Sequence, residues 1–159
     1  MDQIISGYVN DGYKINFVEV GFDYQTYNVS EALKKLVDNG HLHKYISISH
    51  SAEMHRIRKK SIHEDMKLPQ VDFVTVKLDF ETESMQEVLW RYKQSDKNEK
   101  VANICLLLKG GVSNFKQPET IMAKIAQSMN GDDKLLVSTY LTGVDGKDKV
   151  ERDLTISSN

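Results

Sequence analysis

The strongest constraint on the fold is an internal repeat of 22 residues. Residues 15–36 align without a gap against residues 71–92, at an offset of 56 positions (71 − 15). Seven aligned pairs are identical: Phe17/Phe73, Val18/Val74, Val20/Val76, Asp23/Asp79, Thr26/Thr82, Glu31/Glu87 and Leu33/Leu89. Self-similarity at a fixed spacing indicates a duplicated structural unit and says nothing about chemistry. The repeat therefore predicts two similar units in tandem.

Each copy has the pattern of a strand, a turn, a helix and a further strand. Apolar side chains alternate along residues 73–80, which is the period of a strand with one buried face. Asn28 with Glu31, and Ser84 with Glu87, have the spacing of a helix capping box. Apolar residues then recur at helical spacing in both copies.

The flanking segments complete the predicted sheet. Ile4–Val9 and Asp11-Gly12 predict an N-terminal hairpin strand, and a turn at 144–147 predicts a C-terminal hairpin. We therefore predict an α/β fold bordering on α+β. It is a single mixed sheet with helices, built from two tandem β-α-β-α units plus N-terminal and C-terminal hairpin strands.

The domain prediction follows from the repeat and from the absence of a low-complexity linker. We predict a single domain, 1–159, with repeat units at roughly 13–68 and 69–130 and a C-terminal hairpin at 131–159.

Two strands and two helices receive more specific predictions. Lys44–Ser49 is polar on one side and suits an edge or one-sided position, whereas the apolar Val101–Leu108 suits the centre of a sheet. Ser51 caps a predicted surface helix running to about Met66, and Pro118 begins another helix.

Composition narrows the protein class. Apolar residues make up 40% and charged residues 28% of the chain, which is typical of globular proteins, and a net charge of −2 gives no general reason to bind nucleic acid or membranes. The single Cys105 excludes an internal disulfide and a cysteine-based zinc site. The longest apolar run is too short to cross a bilayer, and no signal peptide is apparent. We expect a cytoplasmic protein without a membrane partner.

All five histidines fall between residues 41 and 63. His41 and His43 have the spacing of a pair on one strand face that can hold a divalent metal, with His50 as a further ligand. Tyr92 would then be the nucleophile of a HUH-type nuclease acting on single-stranded DNA. The alternative is that these are solvated loop residues and that the protein has no cofactor.

The one basic cluster suits a binding surface. It comprises His55, Arg56, Arg58, Lys59 and Lys60, which could contact phosphates or another protein or could be a solvated helix face. Asp23 and Asp79 occupy equivalent places in the two copies and suit either a shared proton or metal site or two ordinary turns.

Residues 71–157 have the order β-α-β-α-β-β, with Leu78-Asp79-Phe80 at a strand end and Gly110-Gly111 after an apolar strand. This stretch resembles the C-terminal domain of the FtsZ/tubulin cell-division and cytoskeletal GTPases. The resemblance implies a fold and a cytoskeletal partner. Residues 21–31 contain only one glycine, so no GTP-binding loop is implied.

From these patterns we expect a non-catalytic binding or assembly protein. Segment 41–63 would be its contact surface, its partner a second copy of itself or another protein, and nucleic acid a weaker partner. The metal-dependent nuclease is the first alternative, and a tubulin-like cytoskeletal partner is the second.

Overall fold

A computed structural model describes residues 1–21, 27–79, 82–95, 99–107, 115, 117–142 and 149–157. The helices are α1 (Asp2–Asn10), α2 (Tyr27–Asp38), α3 (Ala52–Lys60), α4 (Gln86–Lys93) and α5 (Pro118–Gln127). The strands are β1 (Lys14–Val20), β2 (Leu42–Ile48), β3 (Phe73–Val76), β4 (Val101–Leu107), β5 (Lys134–Thr142) and β6 (Lys149–Ser157). A π-helical turn, Ser61–Asp65, continues α3.

The strands form one sheet in the order β3-β2-β1-β4-β5-β6. The first five are parallel, and β6 pairs antiparallel with β5. The predicted α/β fold with a single mixed sheet is therefore confirmed, and so is the C-terminal hairpin.

Alternate side chains of each strand face opposite sides of the sheet, so two apolar cores form. On one face Phe17, Tyr45 and Ile104 pack with side chains from α1, α2 and the turn after α3. On the other face Val18, Ile46 and Cys105 pack with side chains from α4 and α5. The helices before β3 thus cover one face and those after it cover the other, which is the doubly wound, Rossmann-like arrangement.

The predicted N-terminal strand is wrong, because residues 2–10 form α1. Ile5 is buried, and Ile4, Tyr8 and Val9 pack against the same core, at the i, i+3 and i+4 spacing of one helix face. β1 is already paired on both sides, with β2 and β4, so no N-terminal strand could pair with it.

The two copies of the repeat share one sheet. β3 lies at the outer edge beside β2, whereas β4 lies beside β1. The edge position predicted for the strand at 44–49 is therefore wrong, since β2 has a neighbour on each side. The central position predicted for residues 101–108 is confirmed for β4, which is buried along its whole length.

Helix starts were only partly predictable. Ser51 is the N-cap of α3, and its hydroxyl accepts the Met54 N–H at 3.3 Å. Asn28 lies inside α2. Ser84 precedes the N-cap Met85, and its hydroxyl accepts the Gln86 N–H at 3.2 Å instead of the Glu87 N–H that the predicted capping box requires. The helix predicted from Ser51 to about Met66 is present as α3 and its π-helical continuation, which bury His55, Arg58 and Ile62 on the side that faces the sheet.

Candidate functional site

The carboxyl end of β1 is the point around which the sheet order reverses. The chain proceeds from β1 to β2 and β3 on one side and continues with β4 and β5 on the other. In doubly wound sheets, ligands bind outside the carboxyl ends of the strands at this switch point. Gly21 follows β1 with φ of +76°, and its N–H donates to the Ile48 carbonyl at 2.9 Å. The candidate site is therefore the crevice beyond Val20 and the neighbouring strand ends.

A buried ion pair lies immediately behind this crevice. Glu19, one residue before the end of β1, accepts from the Arg58 Nε at 2.7 Å and from a second guanidinium nitrogen. The Tyr45 hydroxyl donates to the same carboxylate at 3.0 Å. Side-chain exposure is 2% for Arg58 and 3% for Glu19, so water screens this pair little. The pair ties α3 to the end of β1.

Burial also fixes the ionisation state of Tyr45. Desolvation raises the pKa of this phenol well above its usual value, the Glu19 charge raises it further, and the Arg58 charge opposes the increase. The hydroxyl therefore stays protonated and donates a hydrogen bond to the carboxylate. The three side chains form one hydrogen-bonded unit.

His55 extends the polar region towards the end of β2. Its Nδ1 lies 3.0 Å from the Ser47 hydroxyl, and its Nε2 lies 3.1 Å from the Ser49 carbonyl oxygen. A carbonyl can only accept, so Nε2 carries a proton, and the hydroxyl can serve Nδ1 as donor. His55 is thus a satisfied buried imidazole.

A second buried polar cluster lies near the amino ends of the strands. The Asn16 amide donates to the Asn103 side chain and to the Tyr92 carbonyl, each at 2.9 Å. Asp133 is fully buried and accepts from Lys93 and from the Asn103 N–H, also at 2.9 Å. This cluster is at the opposite end of the strands from the switch point, and it joins α4 and β5 to β4.

The three histidines predicted as metal ligands do not come together. His41 precedes β2 with its Nδ1 3.1 Å from the Tyr13 carbonyl, and His43 is an extra residue in the β2 register. His50 follows the far end of β2, on the order of 20 Å from His43 at about 3.3 Å per residue. Across the described ranges, no group of three or more His, Cys, Asp or Glu side chains could hold a metal ion.

The predicted basic surface is divided by the fold. His55 and Arg58 are buried, whereas Arg56, Lys59 and Lys60 are exposed on α3. Only the last three could form a contact surface, because the first two are used within the protein.

The remaining residues considered from the sequence are Tyr92, the two aspartates of the repeat and the Gly110-Gly111 pair. Tyr92 packs partly buried against the core under α4. The Asp79 N–H donates to the Glu83 carboxylate at 2.9 Å, and its carbonyl accepts the Thr82 N–H, so Asp79 organises a turn. Asp23 and Gly110-Gly111 lie outside the described residues.

Sequence reasoning missed the residues that brace the switch point. Glu19 and Ser47 are the polar residues of otherwise apolar strand segments, yet both are buried. A charged residue inside a strand buried on both faces needs a partner, and that was the available signal. The partner, Arg58, lies 39 residues away and could not be identified from spacing.

The strand order defines the class of protein: a doubly wound α/β domain, a class in which ligands bind at the carboxyl ends of the strands. No family matches the sequence, and no curated protein matches it either. Over the described residues, the helices are all too short or too polar to cross a membrane.

Comparison with solved structures finds methyltransferases. An antibiotic-related methyltransferase shares 18% identity, with 92% of this chain and 68% of that chain covered and a TM-score of 0.45. An rRNA methylase from Streptococcus thermophilus shares 12% identity, with 92% of this chain and 73% of that chain covered and a TM-score of 0.45. The glycopeptide N-methyltransferase MtfA complexed with (S)-adenosyl-L-homocysteine shares 8% identity, with 96% of this chain and 62% of that chain covered and a TM-score of 0.43. The chain spans about half the length of two other solved structures, 53% and 51%. These identities and TM-scores are too low for likeness alone to assign an activity.

The prediction of a non-catalytic binding or assembly protein is contradicted, since the three solved structures named above are methyltransferases. The fold removes its physical basis too, because two of the predicted contact residues are buried and the predicted edge strand is internal. The nuclease alternative loses its His50 ligand. The tubulin-like alternative depended on the order of elements at 71–157, and in the structure β3 and β4 are separated by β2 and β1 in one sheet.

Proposed function

We propose that this chain is a methyltransferase domain that binds S-adenosylmethionine at the switch point between β1 and β4. The observation that carries the proposal is the strand order β3-β2-β1-β4-β5, with Gly21 turning the chain directly after β1. S-adenosylmethionine is proposed over another adenosine cofactor because the solved structures of similar fold include methyltransferases, one of them complexed with (S)-adenosyl-L-homocysteine.

Gly21, after β1, fits the usual pattern of an adenosine-binding site, whereas the residues after β2 depart from it. A glycine with positive φ lets the backbone turn sharply and approach a ligand closely, which suits Gly21. The acidic residue that commonly binds a ribose hydroxyl near this position is absent, and Ser49 and His50 follow β2 instead. His50 is exposed, and its imidazole can hydrogen-bond a ribose hydroxyl.

When bound, S-adenosylmethionine supplies an electrophilic methyl group on a sulfonium centre. The chain's own contribution is positional. Gly21 provides the open turn, and the Glu19–Arg58 ion pair holds the end of β1 against α3. Because the carboxylate is already paired and buried, it stabilises the crevice wall and is not a proton acceptor for the substrate.

The test measures binding of (S)-adenosyl-L-homocysteine by calorimetry and thermal unfolding, with adenosine and NAD⁺ as comparisons. Ligand at 100 times Kd stabilises a protein by about 2.7 kcal/mol, which for this size raises Tm by roughly 5–10 °C. Gly21→Ala should abolish the shift. Gly40→Ala is the matched control, because Gly40 has a similar φ of +68° at the amino end of β2.

Both substitutions should cost about 1–2 kcal/mol of stability, since both force a side chain into the left-handed region. Only Gly21→Ala should lose ligand. If wild-type protein binds NAD⁺ but not (S)-adenosyl-L-homocysteine, the proposal that S-adenosylmethionine is the ligand is refuted. Equal ligand loss in both variants would refute the proposed location.

A cytoplasmic location is proposed as well. It is supported by Cys105, the single cysteine, whose thiol is free and buried. Cell fractionation tests it.

Self-association, with Arg56, Lys59 and Lys60 as the exposed part of the surface, stays a prediction, and light scattering would measure it.

A further inference from the structure

Trp90 is exposed on α4 although it is the chain's only tryptophan. It is 60% exposed, and within the described ranges no other large hydrophobic side chain is exposed. Gln86 and Glu87 lie four and three residues before it and therefore share its face of the helix. The indole offers a flat apolar face and an N–H donor to solvent, beside polar neighbours that can hydrogen-bond.

One cavity lies against this indole between α4 and the end of α5, and a second adjoins it on the side away from the indole. Their volumes are about 280 Å³ and 260 Å³, and they share Gln86 and Ser128. Glu87, Trp90 and Asn130 complete the first, and Thr82, Glu83, Ser84, Lys124 and Gln127 complete the second. Each is slightly smaller than the ~300 Å³ lower bound for drug-sized ligands, so each suits a single ring. We call the pair the α4–α5 trough.

Some polar side chains of the trough already have hydrogen-bond or ion-pair partners within the protein, and others do not. Ser128 Oγ donates to the Lys124 carbonyl at 2.9 Å, Glu87 pairs with Arg91, and Glu83 accepts the Asp79 N–H. The side-chain amides of Gln86 and Gln127 and the indole N–H of Trp90 have no hydrogen-bond partner within the described part of the chain. The free groups are therefore neutral, and the amides can both donate and accept.

This chemistry excludes two common occupants. Two carboxylates and one lysine line the trough, a net charge of −1, so a phosphate would find no excess positive charge. A protein partner needs a cluster of buried anchors, and the described surface offers no second large apolar side chain here. A neutral sugar has an apolar C–H face for the indole and hydroxyls for the amides.

We propose that the α4–α5 trough binds a neutral disaccharide unit. One ring stacks on Trp90, and the next ring is hydrogen-bonded by Gln86 and Gln127. This site is separate from the switch point and does not depend on the proposed methyl transfer.

Because Trp90 is the only tryptophan, its fluorescence reports directly on the trough. Wild-type protein is titrated with cellobiose, maltose, lactose and N,N′-diacetylchitobiose, and with AMP for comparison. We expect a saturable emission change with at least one disaccharide, at a Kd of about 1–10 mM. Gln86→Ala and Gln127→Ala should each weaken binding about fivefold, whereas Gln3→Ala on α1 should not change it.

Calorimetry with Trp90→Ala completes the test, since removing an exposed side chain leaves the fold intact. That variant should show no sugar binding. The proposal is overturned if none of the four disaccharides changes the emission up to ~50 mM, or if AMP alone saturates. It is also overturned if both glutamine variants bind like wild type.

Discussion

The buried ion pair between Glu19 and Arg58 allows a direct test of how the end of β1 is held. Arg58→Ala would remove the guanidinium that donates to the buried Glu19 carboxylate and keep the hydrogen bond from the Tyr45 hydroxyl. Breaking a buried ion pair on one side costs about 3–5 kcal/mol. That is a large part of the ~5–15 kcal/mol that stabilises a typical domain.

Urea unfolding followed by far-UV circular dichroism measures this loss. With a slope of about 2 kcal/mol per M, the midpoint should fall by roughly 1.5–2.5 M. Arg56 is a matched control on the same helix: it pairs with Glu53 but is 68% exposed. Arg56→Ala should hardly move the midpoint, since exposed salt bridges contribute little.

A triple variant separates loss of the pair from loss of packing. Glu19→Leu with Tyr45→Phe and Arg58→Met removes both charges of the pair and the tyrosine hydroxyl together. It should unfold at higher urea than Arg58→Ala, because no buried charge is left unpaired. The reasoning is refuted if Arg58→Ala and Arg56→Ala shift the midpoint equally.

Three further predictions concern single side chains. Ser51→Ala removes the N-cap of α3 and should lower the free energy of unfolding by about 1 kcal/mol, as measured in urea; a change no larger than that of exposed Ser6→Ala would contradict it. Burial raises the pKa of the Cys105 thiol far above its usual value, with the Asp133 charge adding to the increase. A thiol reagent at pH 8 should therefore react only after unfolding, and rapid reaction of folded protein would disprove this. Burial, then the Lys44 charge, lowers the pKa of His43, with Glu99 and Asp72 opposing. Because the unfolded histidine binds a proton near pH 6.5 and the folded one does so only at lower pH, stability should fall from pH 7 to pH 5. His43→Gln should flatten that fall, and an unchanged slope would refute it.

The local pattern of the sequence determined much of the secondary structure. Alternating apolar residues predicted a strand at 73–80, of which Phe73–Val76 forms β3, and the apolar run at 101–108 predicted β4. Ser51 and Pro118 marked two helix starts, and the C-terminal turn marked a hairpin. These features depend on neighbours within a few residues, so one sequence contains the information. The N-terminal helix was misread because Ile4–Val9 is too short for the two periods to be distinguished.

Tertiary structure decided where those elements lie and what their polar residues do. The repeat predicted two similar units, but only the strand order placed β1 beside β4 and created the switch point. A histidine and an arginine read as surface charges, His55 and Arg58, became buried because Ser47 and Glu19 on neighbouring strands satisfy them. Burial depends on which segments meet across 39 residues of chain, and that information is absent from local spacing.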